Sequence, residues 1–123
     1  DTIGSLTQVG IRTLNTHQKE EAKKYGVNII EMKDLDLSFI NTLKAPLYIS
    51  LDIDVLDPAY APGISHHEPG GMTTRQLIDI IHAINVEVVG ADIVELNPER
   101  DINNATAMVA YKLFKEIASK LLD

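Results

Sequence analysis

Three carboxylates stand within six residues in the segment Leu51-Asp52-Ile53-Asp54-Val55-Leu56-Asp57-Pro58. They close a run, Pro46-Leu47-Tyr48-Ile49-Ser50, that is apolar enough to be a buried strand. In a strand, residues two apart face the same side, so Asp52 and Asp54 are expected to point together while Ile53 points away. Two ionised carboxylates held side by side repel each other and lose hydration. A divalent cation removes that cost, and carboxylate oxygens suit Mg2+, Mn2+ or Ca2+. Asp52 and Asp54 are therefore candidate metal ligands; the plainer alternative is a pair of acids that begins a solvated loop. Asp57, beside Pro58, reads as a turn residue rather than a ligand. The Asp-x-Asp spacing alone does not name a reaction. Some phosphotransferases use the first Asp as a nucleophile, and many nucleotide-sugar transferases hold a metal with it. The former usually carry Thr or Val where this chain has Leu56.

The elements that must position these groups alternate. Strands are expected at residues 6–12, 27–32, 46–52 and 86–96. A polar helix is expected at 17–24, ended by Tyr25-Gly26, and a short helix at 37–43. A turn-rich stretch with Pro58, Pro62, Gly63, Pro69, Gly70 and Gly71 follows the third strand. Thr73, with Gln76 three positions on, marks a capping box, and Leu77, Ile80, Ile81 and Ile84 recur at helical spacing behind it. A last helix over 104–122 is expected to pack through Met108, Tyr111, Phe114 or Lys115, Ala118 and Leu122. Strands separated by helices imply parallel crossovers, and nearly continuous apolar strands imply a sheet covered on both faces. Ligands of such sheets gather beyond the carboxyl ends of the strands. Here those places are the loop after Leu51 and the loop after Val94.

Linked motifs extend the pattern. Ser50-Leu51-Asp52-Ile53-Asp54-Val55-Leu56-Asp57-Pro58 is followed by Pro62-Gly63, by Glu68-Pro69-Gly70-Gly71, by Val89-Gly90-Ala91-Asp92-Ile93-Val94-Glu95-Leu96-Asn97-Pro98 and by Thr106-Ala107. With Gln8-Val9-Gly10-Ile11-Arg12 near the start, this order resembles the ureohydrolase family of agmatinases, arginases and their relatives over nearly the whole chain. The resemblance implies an α/β fold, a three-layer sandwich with a mostly parallel sheet, incomplete here. Residues 1–123 would be the C-terminal part of a single ureohydrolase domain. The implied reaction is hydrolysis of a guanidinium group to urea and an amine by a two-manganese centre, which acidifies a water into the nucleophile. Asp52 and Asp54 match ligands of that centre, one of them bridging. Glu95 matches the acid that pairs with the substrate guanidinium, which offers a carboxylate two parallel N–H donors; the alternative is a salt bridge at a strand end. His66 stands where many members carry a substrate-contacting Thr, while some of plant-arginase type carry a Ser-His version of this loop. His66 is thus a candidate substrate contact, or with His67 a loop residue at the cleft mouth. Asp92 either supports the ligands by hydrogen bonding or is structural. Glu68-Pro69-Gly70-Gly71 reads as backbone shaping, and His17 and His82 as structural or solvated.

The family's Gly-Gly-Asp-His and Asp-Ala-His-x-Asp segments, which supply the other metal ligands, do not occur in these 123 residues. The expectation is a catalytically silent portion of a manganese enzyme. Agmatine is the favoured substrate, with L-arginine the alternative and a non-catalytic truncated fragment or scaffold the third reading. Family members commonly form trimers or hexamers, so a homo-oligomer is expected. Composition narrows the partners. With 18 Asp and Glu against 11 Lys and Arg, the formal charge is −7, which repels phosphate backbones and suits a small cationic substrate. The chain has no cysteine, which excludes disulfides and thiolate metal sites and fits a reducing, cytoplasmic setting. No apolar run approaches the roughly 20 residues of a membrane span. The start carries neither Met nor a signal sequence.

Overall fold

The structure, a computed structural model, describes residues 4–122. It divides into two compact units, residues 1–35 and 36–123.

The first unit is one parallel β-α-β motif: β1 (Thr7–Ile11), α1 (Thr16–Tyr25) and β2 (Asn28–Glu31). Helix α1 starts where Asn15 accepts from the Gln18 amide at 2.8 Å and Gln18 accepts in return from the Asn15 amide at 2.9 Å. It stops at Gly26, whose φ of 66° turns the chain left-handed without a Cβ penalty. The β1–β2 register shifts between Val9 and Ile11.

The second unit holds β3 (Leu47–Asp52), α2 (Thr74–Ala83), β4 (Val88–Val94) and α3 (Ala105–Leu122). Strands β3 and β4 are parallel, with Ser50 opposite Asp92 and Asp52 opposite Val94. The capping box at Thr73 and Gln76 is present and α2 buries Leu77, Ile78, Ile80 and Ile81. At its other end, Lys120 from α3 donates to the carbonyls of His82 and Ile84 at 3.1 and 2.9 Å, satisfying groups the helix leaves open. His82 itself pairs with Glu116 at 2.6 Å, in line with its structural reading. The α/β, parallel character is as expected, in incomplete form: among the described residues the strands make two pairs, β1–β2 and β3–β4.

Two expectations change, and one segment read only as turn-rich takes a place in the core. Residues 37–43 form a 3-10 turn, Leu37–Thr42, not an α-helix; it still buries Phe39 and Ile40. The turn-rich stretch after β3 is part of the core: Leu56, Ala61 and Ile64 are fully buried and Met72 nearly so. Short bridges, Leu56 to Met72 and Ile64 to Leu96, sew it to its surroundings. Finally, α3 is rotated relative to the packing face read from its sequence. Thr106, Leu113 and Ile117 are buried, whereas Met108, Tyr111, Phe114 and Leu122 are exposed. The sequence carries two apolar stripes on this helix, and periodicity does not say which one meets the sheet.

Candidate active site

Strand β3 ends at Asp52, where the chain tightens into a 3-10 turn over Ile53–Val55. Asp52 caps that turn by accepting from the Asp54 amide at 2.8 Å. The two acids are therefore brought together by a turn, not by strand alternation as expected from their spacing. Ile53 between them is fully buried and anchors the bend in the core.

The side chain of Asp54 is only 12% exposed. Its Oδ2 lies 3.0 Å from Nδ1 of His66 and accepts from the His66 amide at 3.3 Å. His66 projects outward with most of its ring in solvent. Glu95 is the first residue after β4 and has φ 69°, a left-handed conformation in a residue with a Cβ. Such a backbone costs on the order of 1–3 kcal/mol and persists where surrounding structure dictates it. The dictating contacts flank it and reach across to a distant loop. The Asn97 amide donates to the Gly63 carbonyl at 2.8 Å, and the Arg100 guanidinium to the Ser65 carbonyl at 3.1 Å. Residues 63–66 are thus tied to 96–100 on either side of Glu95. As a result, one ligand atom each from Asp54, His66 and Glu95 come within 4.8 Å of one another.

Asp52 stands beside this group. Burial pushes its carboxyl above the ordinary range; the Asp54 amide opposes that, the charges of Asp54 and Glu95 add to it, and His66 offsets part of it. Three acids beside one imidazole form a cluster that could hold a cation. All four residues singled out in the sequence, Asp52, Asp54, His66 and Glu95, are thereby gathered at the carboxyl ends of β3 and β4. The trio within reach of a single ion mixes residues that the resemblance divides between metal and substrate.

The other acids take supporting positions. Asp57 is a turn residue, as read: its Oδ1 accepts from the Ala59 amide at 2.9 Å and its Oδ2 from the Gly70 and Gly71 amides at 2.7 and 3.2 Å. It holds the Glu68-Pro69-Gly70-Gly71 turn, where Gly70 has φ 84°. His67 braces the same loop, its Nε2 lying 2.9 Å from the Pro62 carbonyl. Asp92 accepts from Tyr48 and Ser50 across the strands.

Two supports escaped the sequence reading. Asp101 caps α3, accepting from the Thr106 and Ala107 amides at 2.8 and 2.9 Å. Burial would raise its carboxyl, but those amides, the Thr106 hydroxyl and the Ile102 amide together hold it below the usual range. Gly63 packs so close that a Cβ there would sit 2.8 Å from Asp101 Cβ and 2.9 Å from Thr106 Oγ1. Asp101 stands four residues ahead of α3 and bonds amides five and six positions on, outside the usual cap spacing, and the Gly63 contact joins residues 43 apart, so neither left a local trace.

The pattern of a family model described as the arginase family matches residues 2–119. This chain belongs to the arginase family. It is 47% identical over 124 residues to arginase 1, mitochondrial, of Arabidopsis thaliana, a match covering 94% of the chain and 36% of that protein. An agmatinase of Bacillus cereus is 38% identical over 125 residues, covering 95% of the chain and 43% of the agmatinase. A solved structure of a T. brucei arginase-like protein, a triple mutant bound with Mn2+, matches with a TM-score of 0.89 at 30% identity, over 98% of this chain and 43% of that one. The chain thus spans little more than a third of the plant arginase.

Proposed function

We propose that this chain supplies one side of a ureohydrolase active site, which cleaves a guanidino compound to urea and an amine. The observation that carries the reading is the convergence of Asp54, His66 and Glu95 ligand atoms within 4.8 Å beside Asp52, in a member of the arginase family. Carboxylate oxygens fit Mn2+. Asp52 and Asp54 would hold manganese, whose presence makes water acidic enough to attack near neutral pH. Glu95 accepts two N–H bonds from the planar guanidinium and so fixes its carbon over the carboxylates. His66, with Nδ1 turned to Asp54, presents Nε2 as the atom that can hold a proton for the leaving amine. A two-ion centre would need further ligands beyond those these 123 residues offer. The identity of 47% to a plant arginase against 38% to an agmatinase supports L-arginine over the agmatine preferred from the sequence.

Calorimetric titration with Mn2+ tests the ligand assignment. Binding that is lost in Asp52→Ala and Asp54→Ala supports it; absence of binding leaves a scaffold. The 123 residues alone are expected to release no urea from either substrate. Substituted for the matching segment of the Arabidopsis arginase, they are expected to sustain urea release from L-arginine, and Glu95→Gln in that chimera to abolish it. Release from agmatine instead would reverse the substrate choice.

A further inference from the structure

Asp92 lies on β4 directly opposite Ser50 of β3. Its two oxygens are both used across the strand pair: Oδ1 accepts from the Ser50 hydroxyl at 2.8 Å and Oδ2 from the Tyr48 hydroxyl at 2.9 Å. Tyr48, Ser50 and Asp52 share one face of β3 by alternation. The Tyr48 ring reaches Asp92 by lying over Gly90, where a Cβ would come within 2.9 Å of the ring. Only glycine leaves room for this arrangement, so ring, hydroxyl and carboxylate form one interlocked unit. The Tyr48 phenol is accordingly raised above its ordinary range, first by its bond to Asp92 and then by burial and the neighbouring charge.

The unit sits one rung below the candidate active site. Two residues beyond Ser50 is Asp52; two residues beyond Asp92 is Val94, paired with Asp52, and Glu95 follows at once. Backbone pairing alone leaves a strand pair able to shear and twist, and these two strands pair only with each other among the described residues. A side-chain link at this rung holds the two strand ends in fixed relation.

We propose that Asp92 is a positioning residue, a clasp that holds Ser50 and Tyr48 and thereby sets Asp52 against Glu95. The consequence for cation binding rests on the metal reading given above; the consequence for the strand ends does not. Asp92 touches neither substrate nor metal in this assignment. What it supplies is acceptor geometry, and an amide oxygen can replace much of it because hydroxyls rotate to suit their partner.

The test is amide hydrogen exchange on the metal-free chain, read at Asp54, whose N–H donates to the Asp52 carboxylate. Asp92→Ala is expected to speed exchange at Asp54 by about tenfold while amides in the centre of α3 keep their protection. Asp92→Asn is expected to remain within about twofold of the parent: its amide oxygen keeps one acceptor, and the hydroxyl facing its NH2 can rotate to accept instead, so both links of the clasp can persist without the charge. Unchanged exchange in Asp92→Ala overturns the proposal. So does an Asn variant as loose as the Ala variant, since side-chain links at this rung would then not be what holds the strand ends. Should Asp92→Ala not fold, Tyr48→Phe and Ser50→Ala each remove one bond of the clasp and carry the same test with smaller acceleration. Mn2+ titration then separates the two readings: affinity about tenfold weaker in Asp92→Ala follows if both hold. A parent chain that binds no Mn2+ but shows the exchange pattern keeps the clasp and shows that these 123 residues do not hold the ion by themselves.

Discussion

Thr106 offers a decisive substitution because its hydroxyl serves two partners from a fully buried position. It accepts from the Gly63 amide at 2.7 Å and donates to Asp101, which caps α3. Thr106→Val keeps the shape and removes the hydroxyl. The Gly63 N–H is then left buried without its acceptor, a cost of about 1–3 kcal/mol. Asp101 loses one donor but retains the amides of Thr106, Ala107 and Ile102, so the second loss is smaller. Thr106→Ser does the reverse: it keeps both hydrogen bonds and gives up one buried methyl, worth about 1 kcal/mol. Urea unfolding followed by far-UV circular dichroism suits a chain without tryptophan. With a slope of about 2 kcal/mol/M, the Val variant should unfold about 1 M earlier than the parent and the Ser variant about 0.5 M earlier. If Val proved as stable as Ser or more so, the hydroxyl would be contributing nothing, and the account of how residues 63–66 are held beside Glu95 would fail.

Two further outcomes are expected. Glu95→Gly should be about 1 kcal/mol more stable than Glu95→Ala, since glycine adopts φ 69° freely and alanine does not; equal midpoints in urea would show that the left-handed backbone carries no strain. Glu116 is held down to about 2 from its ordinary 4.5, first by Lys112 and then by His82. A depressed carboxyl stabilises the folded chain fully above its unfolded value and loses that stabilisation as pH falls through the folded one. Thermal melts of the parent and Glu116→Gln should therefore differ at pH 6 and converge between about pH 4.5 and 2; a constant difference across that window would refute the pairing.

Much of the candidate site was legible because its signals are local. The capping box at Thr73, the glycine stop at Gly26 and the turn role of Asp57 each depend on residues a few positions apart, whose geometry the backbone enforces wherever the segment lies. The proximity of Asp52 and Asp54 was also local, although the agent is a 3-10 turn and strand alternation had suggested a different route. The linked motifs then carried the family, because several spacings must agree at once.

Tertiary structure decided what depends on distant partners. Whether α3 buries Leu113 or Phe114 turns on which stripe faces the sheet, and both stripes are apolar. The pairing of Asp92 with Ser50 and Tyr48 requires the β3–β4 register, which joins residues more than forty positions apart. The left-handed turn at Glu95 and the approach of His66 to Asp54 follow from loops tied together through Gly63, Ser65, Asn97 and Arg100. The residue types for cation chemistry are written in the sequence, because chemistry resides in side chains. Their distances are not, because a separation of a few ångströms across two strands is set by packing and register rather than by spacing along the chain.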